Sequence, residues 1–182
     1  MEQYIDRYVE YLKNVKKSSE NTVASYRRDL CKFMKYFQEK GIVRLEDINE
    51  TYITSYILEI EKKGMSMATV SRNIASIKSF YAYLMREKMV DSDPSEGIKP
   101  PKIVKKAPEI LSVDEVNRLL DQPTIKTPKG IRDKAMLELL YATGIRVTEL
   151  VTLKLTDVNI KLGFIECHDG DRVRTVPVAE IA

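Results

Sequence analysis

The sequence has no tryptophan, one histidine and only two cysteines. Cys31 and Cys167 lie far apart, and neither has neighbours at metal-ligand spacing. That pattern predicts free thiols in a reducing compartment, with no metal site and no cofactor. No apolar run approaches the ~20 residues that a membrane-spanning helix needs. The opening stretch MEQYIDRYVEYL is amphipathic and partly acidic, without an apolar signal core, so the expectation is a cytoplasmic chain with no membrane partner. No repeat of about 20–50 residues and no low-complexity tract is visible.

What is present is a globular mixture, 43% apolar and 31% charged over 182 residues. That length suits one large domain or two small ones. Residues 1–108 hold 20 Lys/Arg against 15 Asp/Glu, whereas 109–182 hold 10 against 12. The first part is therefore the better candidate for meeting a polyanion, and an ordinary solvated surface stays open as the alternative.

The pattern of residues 1–90 predicts four helices. The first covers about 2–16, with Tyr4, Ile5, Tyr8, Val9, Tyr11 and Leu12 on one face. Ser18, Ser19 and Asn21 offer caps for a second that ends near Glu39. A third is expected over Leu45–Lys63. The fourth starts near Ser66 and carries Val70, Ile74, Ile77, Tyr81 and Leu84, the alternating 4–3 spacing of a buried seam. Residues 91–109, DSDPSEGIKPPKIVKKAPE, contain four prolines and are expected to be an interdomain linker. Its lysines, Lys99 and Lys102 among them, are candidates for touching a phosphate backbone.

Residues 110–182 begin with a capping box, Ser112-Val-Asp-Glu115. Thr127-Pro128 suits the start of a helix that runs through Met136, Leu137, Leu139, Leu140 and Tyr141 to a stop at Gly144, with Tyr141 read as core. A short helix carries Val147, Leu150 and Val151. GFIECH and DRVRTVPV then flank Asp169-Gly170, a pair that predicts a two-residue hairpin turn. The lone His168 reads as the end of a strand. Leu137, Leu140 and Leu150 would pack on helices outside these 182 residues, so exposed apolar surface, and with it association or aggregation, is expected.

Arg146 is the first residue whose placement looks chemical. It follows a helix stop and opens the next helix, where a guanidinium fork and backbone N–H groups both suit phosphate oxygens. Glu149, one turn on, either orients Arg146 or forms a structural ion pair with it; spacing alone leaves both open.

The wording around Arg146, IRDKAMLELLYATGIRVTELVTLKLTDVNI, resembles the entry to the catalytic domain of tyrosine site-specific recombinases of the phage integrase family, most nearly the bacterial XerC/XerD group. NTVASYRRDLCKFMKYF and MATVSRNIASIKSFYAYLM look like two helices of that family's SAM-like core-binding domain, and APEILSVDEVNRLL like the start of its catalytic domain. The fold implied is mainly α: a four-helix SAM-like core-binding domain at 1–90, the linker at 91–109, and at 110–182 a partial α+β catalytic domain ending in a β-hairpin.

The resemblance implies a DNA-binding chain that shares in DNA recombination or integration by way of a 3′-phosphotyrosyl intermediate. Arg146 matches the clamp on the scissile phosphate, and Glu149 its support. The family's His-x-x-Arg motif, its later His or Trp and its nucleophilic Tyr have no match here, since all ten tyrosines precede Arg146. The hairpin lysine is also unmatched: its place falls on Asp169 or Gly170, and Arg172 is the nearest cation, a candidate phosphate contact but a poor proton donor. The implied partners are double-stranded DNA and a recombinase subunit or a second copy. DNA contacts fall on Arg28, Lys32 and Lys35 of the second helix and on Arg72, Ser76 and Ser79 of the fourth. The expectation is binding without strand cleavage by this chain alone. A non-catalytic DNA-binding regulator and a helical protein-interaction domain are the alternatives, and nothing in the sequence separates chromosome segregation from mobile-element integration.

Overall fold

A computed structural model describes residues 2–103, 107–170 and 172–178. It divides into two compact units, Met1–Lys106 and Ala107–Ala182.

In the first unit four helices follow the predicted seams: α1 (Glu2–Asn14), α2 (Glu20–Glu39), α3 (Glu50–Lys62) and α4 (Met67–Arg86). Each of the last three starts on a side-chain cap. Ser19, Asn49 and Ser66 accept the amides of Thr22, Tyr52 and Thr69, which satisfies backbone donors that a helix end leaves unpaired. α2 packs on α1 and α4, and α3 packs on α4. The interior is dominated by rings: Phe80 stands edge-on to Tyr8 at 5.4 Å, and Phe33 edge-on to both Phe37 and Tyr56 at 4.9 and 5.2 Å. Buried Tyr56 keeps its hydroxyl satisfied by donating to Asn73 Oδ1 at 3.1 Å, so the polar atom costs little.

Two boundaries differ from expectation. The third helix does not start at Leu45. Leu45–Asp47 is a single 3₁₀ turn, and Asn49 caps the helix that follows. Both Leu45 and Ile48 bury their side chains, so the 3₁₀ turn serves as an anchor rather than as the start of α3. Nor is all of 91–109 a linker. Val90 and Ile98 are buried in the first unit's core, and Asp93 folds the intervening chain by accepting from the amide and hydroxyl of buried Ser95 at 2.8 and 2.6 Å. The prolines exclude helix there but not packing. Lys105 and Lys106 lie outside the described residues.

The second unit contains α5 (Val113–Leu120), α6 (Pro128–Thr143), α7 (Val147–Thr152), a 3₁₀ turn at Leu155–Asp157, and an antiparallel sheet ordered β1 (Val158–Asn159), β2 (Phe164–Asp169), β3 (Arg172–Pro177). The predicted capping box forms: Ser112 and Glu115 exchange hydrogen bonds at the start of α5. Asp169 pairs with Arg172, so Asp169 belongs to the β2–β3 ladder and the connection begins at Gly170, one residue later than the Asp169-Gly170 turn expected. Ile145, Leu150, Ile165 and Cys167 form a small buried cluster, with Met136, Leu139 and Leu140 of α6 against it.

Tyr141 is not core; it is 60% exposed. The inward stripe of α6 is Met136, Leu139 and Leu140, and the next residue turns roughly 100° away from it. Leu150 is buried within the unit instead of lacking a partner, and the exposed apolar side chains include Ile110, Val147, Val151, Leu155, Ile160 and Leu162.

Candidate phosphate-binding site

The site is set by the way α6 stops. Gly144 takes a left-handed conformation, φ +61°, and donates its amide to Leu140 O at 2.8 Å, an ending that glycine adopts with least strain. Ile145 is buried and fixes the chain against the cluster. Arg146 then becomes the N-cap of α7 with extended backbone. An arginine has no acceptor to offer the helix, so only the carboxylate half of a capping box forms: the Arg146 amide donates to Glu149 Oε2 at 2.7 Å.

Glu149 has further partners. Arg146 Nη1 donates to its Oε1 at 3.3 Å, and Arg174 of β3 donates through Nε at 3.2 Å and Nη2 at 2.9 Å. The Glu149 side chain is only 1% exposed, whereas the Arg146 side chain is 64% exposed. The Arg174 fork, and after it the Arg146 amide, hold the Glu149 carboxyl down at about 2, well below the ordinary carboxylate range.

Strand alternation brings Arg172 to the same place. Arg172 and Arg174 are two apart in β3 and so lie on one face. Arg146, Glu149, Cys167, Arg172, Val173 and Arg174 line a concavity of about 410 Å³. Three guanidinium groups against one carboxylate give it a cationic character suited to phosphate oxygens. Burial pushes the Cys167 thiol up, so it is no nucleophile at neutral pH. His168 belongs to the opposite strand face, 3.6 Å from Asp157 Oδ1. Among the described residues no three His, Cys, Asp or Glu side chains gather where they could hold a metal ion, and no helix is long and apolar enough to cross a membrane.

Arg146, Glu149 and Arg172 thus line one concavity. Arg174, the strongest partner of Glu149, begins the Arg174-Thr-Val-Pro177 run that reads as a strand and has no site role on sequence grounds; its signal is the two-residue spacing from Arg172.

In the first unit, Arg28, Lys32 and Lys35 are exposed along α2 and line a shallow groove with Arg27 and Cys31. Arg72 of α4 reaches α2, where its Nε and Nη2 meet the buried Asp29 carboxylate at 2.8 and 3.0 Å. Ser79 is half-buried. Ser76 departs from expectation: it is 0% exposed and donates to Asn73 O at 2.8 Å. A hydroxyl satisfied by its own helix is cheap to bury, so Ser76 sits in the interior and makes no surface contact. Lys99 and Lys102 are exposed.

Comparison with known proteins bears on both units. Residues 5–88 match the family described as phage integrase, N-terminal SAM-like domain, and residues 109–182 match the phage integrase family. The chain is 40% identical over 184 residues to the tyrosine recombinase XerD of Oceanobacillus iheyensis, covering all of this chain and 62% of that protein. It is 39% identical to XerD of Staphylococcus haemolyticus, covering 99% of this chain and 61% of the relative. It therefore spans about three-fifths of the length of these curated relatives. In fold it resembles a lambda integrase dimer bound to a COC′ core site (TM-score 0.75, 17% identity, 97% of this chain and 48% of that one). It also resembles the XerH recombinase bound to its difH substrate (TM-score 0.69, 19% identity, 100% and 55%).

Proposed function

The chain belongs to the phage integrase family of tyrosine recombinases, and from that membership we propose that it is the DNA-binding part of a site-specific recombinase, holding the scissile phosphate at Arg146. The observation that carries this reading is the exposed Arg146 guanidinium, set at a helix start by a buried carboxylate and joined by Arg172 in one cation-lined concavity. Transfer of a phosphoryl group to a tyrosine builds charge on the nonbridging oxygens, and preorganised donors at that point lower the barrier. Arg146 supplies such donors, Arg172 adds charge, and Glu149 keeps Arg146 in place. Arg172 stands beside the hairpin turn, and a guanidinium suits holding a phosphate oxygen but is a poor proton donor to a leaving group.

The first unit contributes affinity for the duplex through Arg28, Lys32 and Lys35, with Arg72, Ser79, Lys99 and Lys102 as further contacts. These contacts position the backbone and carry no sequence by themselves. All ten tyrosines of the chain precede Arg146, and Tyr8, Tyr56 and Tyr81 are buried in the first unit's core with pKa values raised by burial. These 182 residues by themselves therefore bind DNA without cutting it.

The test is fluorescence anisotropy on a duplex over a salt series. Wild type should show affinity that falls steeply with salt, and the triple variant Arg28→Gln/Lys32→Gln/Lys35→Gln should flatten the log–log slope by about 1 for each lost phosphate contact. An unchanged slope removes α2 from the interface. A protease-sensitive covalent adduct on a nicked duplex would refute the non-cleaving reading.

A further inference from the structure

The phosphate site contains one guanidinium that the functional reading does not use. We propose that Arg174 is a positioning residue: it holds the Glu149 carboxylate from β3, so that Arg146 is aimed by Glu149 without being its only counter-charge.

The argument begins with Glu149, a carboxylate removed from solvent. A buried carboxylate is tolerated only when its oxygens are paired with donors. The two oxygens meet four donors, and their lengths are unequal. Arg174 brings two, at 3.2 and 2.9 Å, in the parallel fork-to-fork geometry of the strongest Arg–carboxylate pairs. Arg146 brings its amide at 2.7 Å and a single guanidinium nitrogen at 3.3 Å, the longest of the four. The amide bond fixes the start of α7. The long contact is the one that can loosen as Arg146 turns toward an anion. When it loosens, Glu149 keeps three donors, two of them from Arg174. Without Arg174, the same carboxylate would depend on Arg146 alone for charge and would draw its guanidinium inward.

The fold makes the Arg174 contact rigid. Arg174 stands opposite Cys167 in the β2–β3 ladder, and β2 packs directly on α7. Glu149 and Arg174 are 25 residues apart, so their pair fastens the hairpin to the helix that carries Arg146. Arg172, on the same strand face, points into the same concavity and is the direct contact; Arg174 acts through another side chain.

This inference rests on the reading of Arg146 as a phosphate clamp, and the experiment separates the two. Inorganic phosphate is titrated into isotope-labelled full chain while arginine Nε–Hε resonances are followed, for wild type, Arg146→Gln, Arg174→Gln and the double variant. Each single change should weaken phosphate binding about tenfold, and the double should also lose about tenfold, because Arg174 acts only through Arg146. A double loss near a hundredfold, the product of independent effects, would make Arg174 a separate contact and overturn the proposal. So would wild-type affinity in Arg174→Gln while Arg146→Gln is weakened. Wild-type affinity in Arg146→Gln defeats the phosphate-clamp reading itself, whatever Arg174 does. Should Arg174→Gln fail to fold, Arg174→Lys decides. It keeps a cation beside Glu149 but loses the fork, and should weaken binding about threefold on its own and not at all in an Arg146→Gln background. An additive loss there counts against positioning.

Discussion

Glu149 makes its neighbourhood sensitive to acid. Its carboxyl titrates at about 2 in the folded chain, against an ordinary value of 4.5. A carboxyl with a depressed folded value contributes its full stability above pH 4.5 and loses it progressively as pH falls toward 2. Glu149→Gln should therefore destabilise the second unit at neutral pH and flatten its acid limb across that window. Circular dichroism melts at stepped pH would measure this, and a wild-type acid limb in the variant would contradict the assignment. Residue-scale roles were unevenly legible in the sequence. Arg146 and Glu149 are three apart beside a glycine stop, so local spacing pairs them but leaves open whether the pair is functional or structural. Arg174 meets Glu149 only because a strand folds back on a helix. Asp29, buried under the Arg72 fork from 43 residues away, was equally hidden. Ser76 misled because a serine on a helix looks polar from its sequence position, yet it bonds to its own backbone and disappears inside.

Helix ends, rather than helix middles, decide what the second unit presents. Gly144 adopts φ +61°, and a methyl group added there would meet nothing within 4 Å. Gly144→Ala should thus cost only the backbone strain, about 1 kcal/mol. Gly130 presents the opposite case: a Cβ there would lie 1.7 Å from the backbone oxygen of Thr124. Gly130→Ala must move the chain that enters α6, and should cost on the order of 3 kcal/mol. Urea denaturation of both variants checks the order, which a larger loss at Gly144 would reverse. Elements with strong caps and clear seams, α2, α4 and α5, were legible in advance. The start of α3 was not, because Leu45 and Ile48 have helical spacing while the intervening turn is 3₁₀. Proline content marked residues 91–109 as non-helical but could not show that Ile98 finds a place in the core.

The two units carry very different interiors. Among the described residues the first buries a ring-rich core that runs from Ile5 to Ile98, while the second buries only Leu120, Ile145, Leu150, Ile165 and Cys167 among its large apolar side chains. Heating should therefore give two transitions, with the second unit melting first. Phe80→Ala should lower only the later one, by about 3–5 kcal/mol; calorimetry that shows a single transition would refute this. The second unit also exposes large apolar side chains, Leu155 at 94% foremost, so sedimentation velocity should reveal association that grows with concentration; a monomer throughout would exclude it. The four-donor carboxylate has a final consequence, in mass action. α7 is six residues long, too short to stand alone, and the Glu149 hub that shapes the proposed phosphate site also ties that helix to the sheet. Filling the site and folding the unit are thus one coupled equilibrium. Each tenfold rise in a bound anion above its dissociation constant should add about 1.4 kcal/mol to the unit's stability. The melting temperature of this half of the chain then becomes a direct assay of what its arginines hold.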